Sequence, residues 1–185
     1  LELSQHVPAT QSRLASMAKT SVRVAVVDHE PPVHQALSAA AEESRKGGFP
    51  FEVLPMPSGG AALDMLSGSP PDVLVTRDDL FDLPGSALVG ALDERSSDLL
   101  AIVYRGPGAG GEATVYEGGH PVRTIRPFEE LAPLLKEVRA MVERASAALE
   151  RRQVMDLFRL EHSDLLRRYG TLRARLEEAA RSGNG

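Results

Sequence analysis

The sequence predicts a doubly wound α/β domain with a parallel sheet, followed by a long helix that forms a coiled coil. Short runs rich in Val, Ile and Leu alternate about five times with helix-forming segments, and the connections between them are short. Farther along, apolar residues recur at steps of three and four, which is the heptad pattern of a coiled coil. The predicted parts are a leader over residues 1–20, a domain over 21–148, a coiled-coil helix over 149–181 and a flexible end over 182–185.

The first half of the domain carries clear start and stop signals. The run VRVAVV from Val22 predicts a buried strand, and the helix after it begins at two prolines and ends at RKGG. FEVLPM predicts a second strand near a sheet edge, because Pro55 cannot donate to a ladder. Ser58 is a candidate N-cap for the next short helix, which ends at a loop of Gly, Ser and Pro.

The second half begins with DVLVT, which predicts the third strand. SALVGALDE then predicts a helix, and DLLAIVY predicts a fourth strand ending at Tyr104. The glycine-rich segment RGPGAGGEATVYEGGHP is expected to hold at most one or two helical turns. VRTI predicts a fifth short strand, and a long helical pattern begins at Glu129.

Composition excludes several functions. The 185 residues include no cysteine, so thiol catalysis and thiolate metal sites are excluded and a cytoplasmic setting is favoured. A net charge of −5 speaks against a nonspecific nucleic-acid surface, and no apolar run approaches the roughly 20 residues that span a bilayer. The sequence has neither a histidine pair at the zinc-enzyme spacing nor a GxSxG motif, so we expect no cofactor and no catalysis of those kinds.

Polar residues follow most of the predicted strands. Parallel strands joined by right-handed crossovers place all their carboxyl ends at one edge of the sheet. The residues expected there are Asp28, His29, Glu30, Arg77, Asp78, Asp79, Tyr104, Arg105 and Arg126.

Three segments carry a family likeness: VAVVDHEPP, PDVLVTRDDLFDLPG and RTIRPFEEL. They resemble receiver domains of bacterial response regulators, and the resemblance covers roughly residues 22–142. It implies a flavodoxin-like (βα)5 fold and a role in two-component signalling.

The same resemblance implies a degenerate site. Receiver domains hold Mg²⁺ with two adjacent carboxylates and the aspartate that accepts the phosphoryl group. Here the first carboxylate is Asp28, His29 takes the second position, and Arg77 takes the acceptor position. An arginine has no oxygen to phosphorylate, and its guanidinium is expected to pair with Asp28 or Glu30 in the region of the metal.

Two further family positions are also changed. The lysine after the fifth strand corresponds to Arg126, and the Ser or Thr after the fourth strand falls at Tyr104 or Arg105. These changes together predict a non-catalytic pseudo-receiver. One alternative is a phosphorylatable receiver in which a shift in register makes Asp78 the acceptor with Mg²⁺. Another is the regulatory part of a transcription or antitermination regulator.

The C-terminal segment predicts a homodimer, with an unidentified signalling protein as a further partner. Charges of both signs flank a heptad seam, in which His162 is a polar residue able to define the register. The alternatives are a stripe that folds back on the domain or pairs with another protein, and a helical hairpin broken at Gly170. The seam residues are Met155, Phe158, His162, Leu165, Tyr169, Leu172, Leu176 and Ala179.

Overall fold

The computed structural model describes residues 21–47, 50–96, 98–106, 110–126 and 128–182. The chain divides into two compact units, Leu1–Ser146 and Ala147–Gly185. The predicted leader, residues 183–185 of the predicted flexible end, and Pro127 of the third family segment all lie outside the described residues.

The first unit contains a six-stranded sheet with helices between the strands. The strands are β1 (Val22–Val27), β2 (Phe51–Met56), β3 (Val73–Arg77), β4 (Leu100–Arg105), β5 (Glu112–Glu117) and β6 (His120–Ile125). The helices are α1 (Pro31–Gly47), α2 (Gly59–Leu66), α3 (Gly85–Asp93) and α4 (Leu131–Ser182), the last of which continues into the second unit.

The sheet order confirms the doubly wound fold class. The strands lie in the order β2-β1-β3-β4-β5-β6, and the first four pair in parallel. An order of 2-1-3-4 is that of flavodoxin-like folds. The placement of β2 at an edge is confirmed, and so is the Ser58 cap, whose hydroxyl accepts from the Ala61 amide at 3.2 Å.

The prediction of a fifth parallel strand after a glycine-rich loop is corrected. The segment EATVYE forms β5, which pairs antiparallel with both β4 and β6. Residues 106–111 alone separate β4 from β5, whereas a parallel connection needs a dozen or more residues. Gly118 and Gly119 have φ angles of 52° and 70°, which a two-residue type I′ hairpin turn requires. The Gly-Gly pair between two β-rich runs was the signal in the sequence.

This hairpin keeps the end of β6 at the edge that carries the candidate site. Because β5 is antiparallel to both of its neighbours, β6 runs in the direction of β4. The β5 residue Glu112 therefore lies beside Arg105, and Arg126 follows the end of β6 at the same edge.

Two cores cover the two faces of the sheet. Alternate residues of β1, β3 and β4 pack with α2 and α3 in one buried cluster that includes Leu66, Leu74, Leu88 and Leu92. Buried residues of α1 and of the first part of α4 supply the other core. Strand alternation therefore decides which side each strand-end residue faces.

The described part of the second unit is the rest of α4. The helix continues through Gly170 and Thr171, so the alternative of a hairpin broken at that glycine is wrong. The Thr171 hydroxyl donates to the Arg167 carbonyl at 3.0 Å, as a threonine inside a helix commonly does.

Candidate functional site

The strand-end residues separate into two groups by face. Asp28 and Tyr104 each follow a residue of the α2/α3 core. Arg77 follows Thr76, whose side chain lies against Gly85 of α3. Strand alternation therefore projects all three to the opposite side of the sheet. The register places Arg77 directly beside Tyr104. Together with Glu30 and Asp79 they form what we call the arginine cluster.

Arg77 is the centre of this cluster. Its Nη1 lies 3.6 Å from Asp28 Oδ1 and 3.1 Å from Glu30 Oε1, and its Nε donates to Asp79 Oδ1 at 2.7 Å. Its side chain is only 12% exposed. Burial opposes the positive charge, but the hydrogen bond and ion pairs to the three carboxylates outweigh it and raise the pKa of Arg77. The guanidinium therefore remains a fixed cation within a mostly acidic site.

Both carboxylate oxygens of Asp28 are occupied. The Tyr104 hydroxyl donates to Oδ2, while the Glu30 amide donates to Oδ1 at 2.8 Å. The Tyr104 ring packs against Phe128 with centroids 5.9 Å apart. Burial and the neighbouring Asp28 charge raise the pKa of Tyr104 far above its ordinary value, so the phenol stays protonated and donates.

The Tyr104 hydroxyl provides a test of this arrangement. We expect Tyr104→Phe to lower the free energy of unfolding by about 2 kcal/mol, because a hydrogen bond to a buried carboxylate is lost while the ring packing is kept. Urea denaturation followed by circular dichroism measures the change. Tyr116→Phe, at a half-buried tyrosine of β5 outside the arginine cluster, is the matched control and is expected to change stability less. Equal stability of the Tyr104→Phe variant and the parent chain would contradict the assigned hydrogen bond.

Two histidines, His29 and His34, lie at the margin of the arginine cluster. His29 is half-exposed, with its ring nitrogens 3.9 Å from Asp28 Oδ1 and 3.7 Å from Glu30 Oε1, which is beyond hydrogen-bond distance. His34, which was not among the predicted site residues, hydrogen-bonds through Nε2 to the Asp28 carbonyl at 2.7 Å. It thereby joins α1 to the end of β1.

Asp78 lies in a separate group on the other face. Its Oδ2 accepts from Nη2 and Nε of Arg105 at 2.7 and 3.1 Å, and its Oδ1 accepts from the Ser86 amide at 3.1 Å. Burial would raise the pKa of Asp78, but the hydrogen bonds from Arg105 and Ser86 outweigh it and lower that pKa. Tyr104 therefore faces the arginine cluster, and Arg105 faces Asp78.

The remaining predicted residue, Arg126, has a different partner. Its guanidinium pairs with Glu112 of β5, a strand that was not predicted. Asp79 was expected at this edge, but not as the partner that contacts the Arg77 side chain most closely. Its position two residues after Arg77 was the available signal, because residues two apart in extended chain share a face.

The donor set does not fit the Mg²⁺ that the resemblance implies. Magnesium requires several free oxygen ligands in near-octahedral geometry. Here both Asp28 oxygens accept hydrogen bonds, and a guanidinium lies among the carboxylates. Within the part of the chain that the structure describes, no group of three or more His, Asp or Glu residues could hold a metal ion.

Comparisons with solved structures found response regulator receiver domains. A response regulator receiver domain protein from Clostridium thermocellum is 19% identical, with a TM-score of 0.38, and the match covers 44% of this chain and 63% of that one. The chemotaxis response regulator CheY4 of Vibrio cholerae is 20% identical over 44% of this chain and 68% of that one, with a TM-score of 0.37. Receiver domains are what the first unit is similar to. The match spans just under two thirds of the Clostridium thermocellum protein. The fold class follows from the strand order of the sheet and not from these matches.

A third match extends over more of the chain. A fusion protein that carries the trimeric coiled coil of yeast Spc42 is 15% identical over 71% of this chain and 82% of that one, with a TM-score of 0.43. No protein-family model and no curated protein matches the chain. We call the first unit receiver-like from here on.

The predicted seam residues of the second unit are exposed along α4. The six large apolar members of the seam are 54–69% exposed. Leu160, which lies opposite the seam in the heptad, is exposed as well. The flanking charges form pairs within the helix, such as Arg173 Nε with Glu177 Oε1 at 2.9 Å. Among the described helices, none combines the length and the apolar character that crossing a membrane demands.

Proposed function

We propose that this chain is a non-catalytic pseudo-receiver, which signals through protein–protein contacts and coiled-coil dimerisation without aspartyl phosphorylation. The observation that carries the proposal is the Arg77 guanidinium, which lies against Asp28 and Glu30. The sequence resemblance implies that Arg77 takes the acceptor position of receiver domains. A guanidinium offers no oxygen for phosphoryl transfer, and its charge occupies the region where a divalent cation would bind.

The exposed seam supports homodimerisation. Six large apolar side chains at heptad positions remain in water unless a second helix covers them. In a dimer joined this way, a signal received by the receiver-like units passes on as a change in dimer geometry. A cytoplasmic setting and the absence of direct membrane or nucleic-acid binding are parts of the same proposal.

The competing function is a receiver that is phosphorylated on Asp78. The hydrogen bonds to Asp78 speak against it, because Arg105 and the Ser86 amide already engage both carboxylate oxygens. The residue also faces away from Asp28, whose carboxylate would have to share the metal ion.

Phosphorylation is tested directly on the full chain. We expect no phosphoryl adduct by intact-mass spectrometry after incubation with acetyl phosphate and Mg²⁺, and no shift of amide resonances on adding beryllofluoride. A receiver domain with an intact acceptor aspartate serves as the positive control. An adduct that forms on the parent chain and disappears in Asp78→Asn would establish the competing function instead.

A further inference from the structure

Phe81 is the most exposed large apolar residue of the receiver-like unit. It lies in the loop between β3 and α3, and its side chain is fully exposed. The preceding residue, Leu80, is buried in the core, so the loop is anchored immediately before it turns the phenyl ring outward. A folded chain gains nothing from a phenyl ring in water, whereas aromatic side chains dominate the binding energy of many interfaces.

The loop that carries Phe81 is held at both ends. On one side the Ser86 amide donates to Asp78 Oδ1 at 3.1 Å. On the other side the amides of Gly59 and Gly60 at the start of α2 donate to the Asp82 carboxylate at 3.1 and 2.7 Å. A Cβ on Gly60 would lie 2.8 Å from Asp82 Oδ2, so the glycine permits this contact. A residue presented on a constrained loop loses little conformational entropy when it binds.

The surroundings of Phe81 are acidic. Asp79 and Asp82 lie within two residues of Phe81 in the sequence. Arg77 forms ion pairs with both Asp79 and Glu30. Glu30 and Asp79 are each about half-exposed, and Arg77 is the cation that these two share with Asp28. The carboxylates outnumber this guanidinium, so a basic surface is the complementary one.

We infer that Phe81 and its flanking carboxylates form the docking surface for a partner protein whose apolar recess is rimmed by Lys and Arg. The inference rests on the proposed function, because it names the surface and the partner chemistry through which a non-catalytic receiver-like unit acts. The ring supplies the affinity, and the carboxylates supply orientation and encounter rate.

The probe is a library of random disulfide-cyclised peptides displayed on phage and selected on the full chain. We expect the selected peptides to combine apolar residues with Lys or Arg. Their affinity should fall at least tenfold on Phe81→Ser and should weaken as salt is raised, because the charges are exposed. Val122→Ser, at an exposed apolar residue on the outer strand β6, is the matched control and should leave binding unchanged.

Several results would overturn the inference. They are peptides that bind parent and Phe81→Ser chains equally, acidic peptides, or no enrichment over the starting library. A Phe81→Ser chain with a different mass in solution would also overturn it, since the ring would then pack on a second copy of the chain. None of these results affects the acetyl phosphate test, whereas an Asp78 adduct would refute the proposed function whatever the peptides show.

Discussion

Replacing Arg77 by methionine is expected to lower the free energy of unfolding by about 3 kcal/mol. The substitution keeps an unbranched apolar stem but leaves the buried Asp28 carboxylate without its cation, and breaking one side of a buried ion pair costs several kcal/mol. It also leaves Glu30 and Asp79 close together without the guanidinium between them. Urea denaturation with circular dichroism measures the loss.

A double variant identifies the cause of that loss. If the uncompensated charge is responsible, adding Asp28→Asn to Arg77→Met should recover part of the stability, because the amide oxygen can still accept from Tyr104 although the amide NH2 cannot accept from Glu30. Arg77→Lys keeps the charge without the planar fork and should cost less than Arg77→Met. Additive losses in the double variant would show that Arg77 stabilises the domain by packing and not by neutralising Asp28.

Substituting two seam leucines is expected to abolish self-association. The parent chain should have twice the mass of one chain in light scattering, and the variant Leu165→Asp with Leu172→Asp should have the mass of one. A dimer buries four such leucines, and each contributes about 1.5 kcal/mol or more, so their loss weakens association by at least about 10⁴-fold.

The helix itself offers a matched control for this experiment. Leu160 is as exposed as Leu165 but lies opposite the seam, so Leu160→Asp should leave the mass unchanged. A chain that ends at Glu150 should also have the mass of one chain. If the truncated and full-length chains had equal masses, dimerisation through the second unit would be refuted.

Local patterns were sufficient for much of the fold. The runs around Val22 and Val73 predicted β1 and β3, because a buried parallel strand is apolar on both faces. The hairpin of β5 and β6 was missed because the abundance of glycine outweighed a short alternating pattern. The Gly118-Gly119 turn adds a hairpin to this sheet only because β5 pairs with β4. That pairing joins two separate strands and cannot be predicted from the turn residues alone.

The sequence predicted which residues form the candidate site better than it predicted which of them contact each other. Asp28 follows β1 and Arg77 ends the neighbouring β3, so their approach at one edge followed from the topology. Asp79 as a partner of Arg77, and Glu112 as the partner of Arg126, depended on loop and hairpin geometry. Strand alternation placed Asp78 and Asp28 on opposite faces of the sheet. The register of β3 and β4 then determined that Tyr104 lies on the side of Asp28 and Arg105 on the side of Asp78.

The sequence alone determined which chemical groups the chain can use. It contains no cysteine, it carries arginine where the resemblance expects an acceptor aspartate, and its C-terminal apolar residues recur in heptads. The tertiary structure decided how those groups meet. The contact between Tyr104 and Asp28 joins residues 76 positions apart, and such a contact exists only once the sheet has brought three strand ends together. Periodicity is a local property of the chain, whereas hydrogen-bond partners at a sheet edge depend on register and loop path.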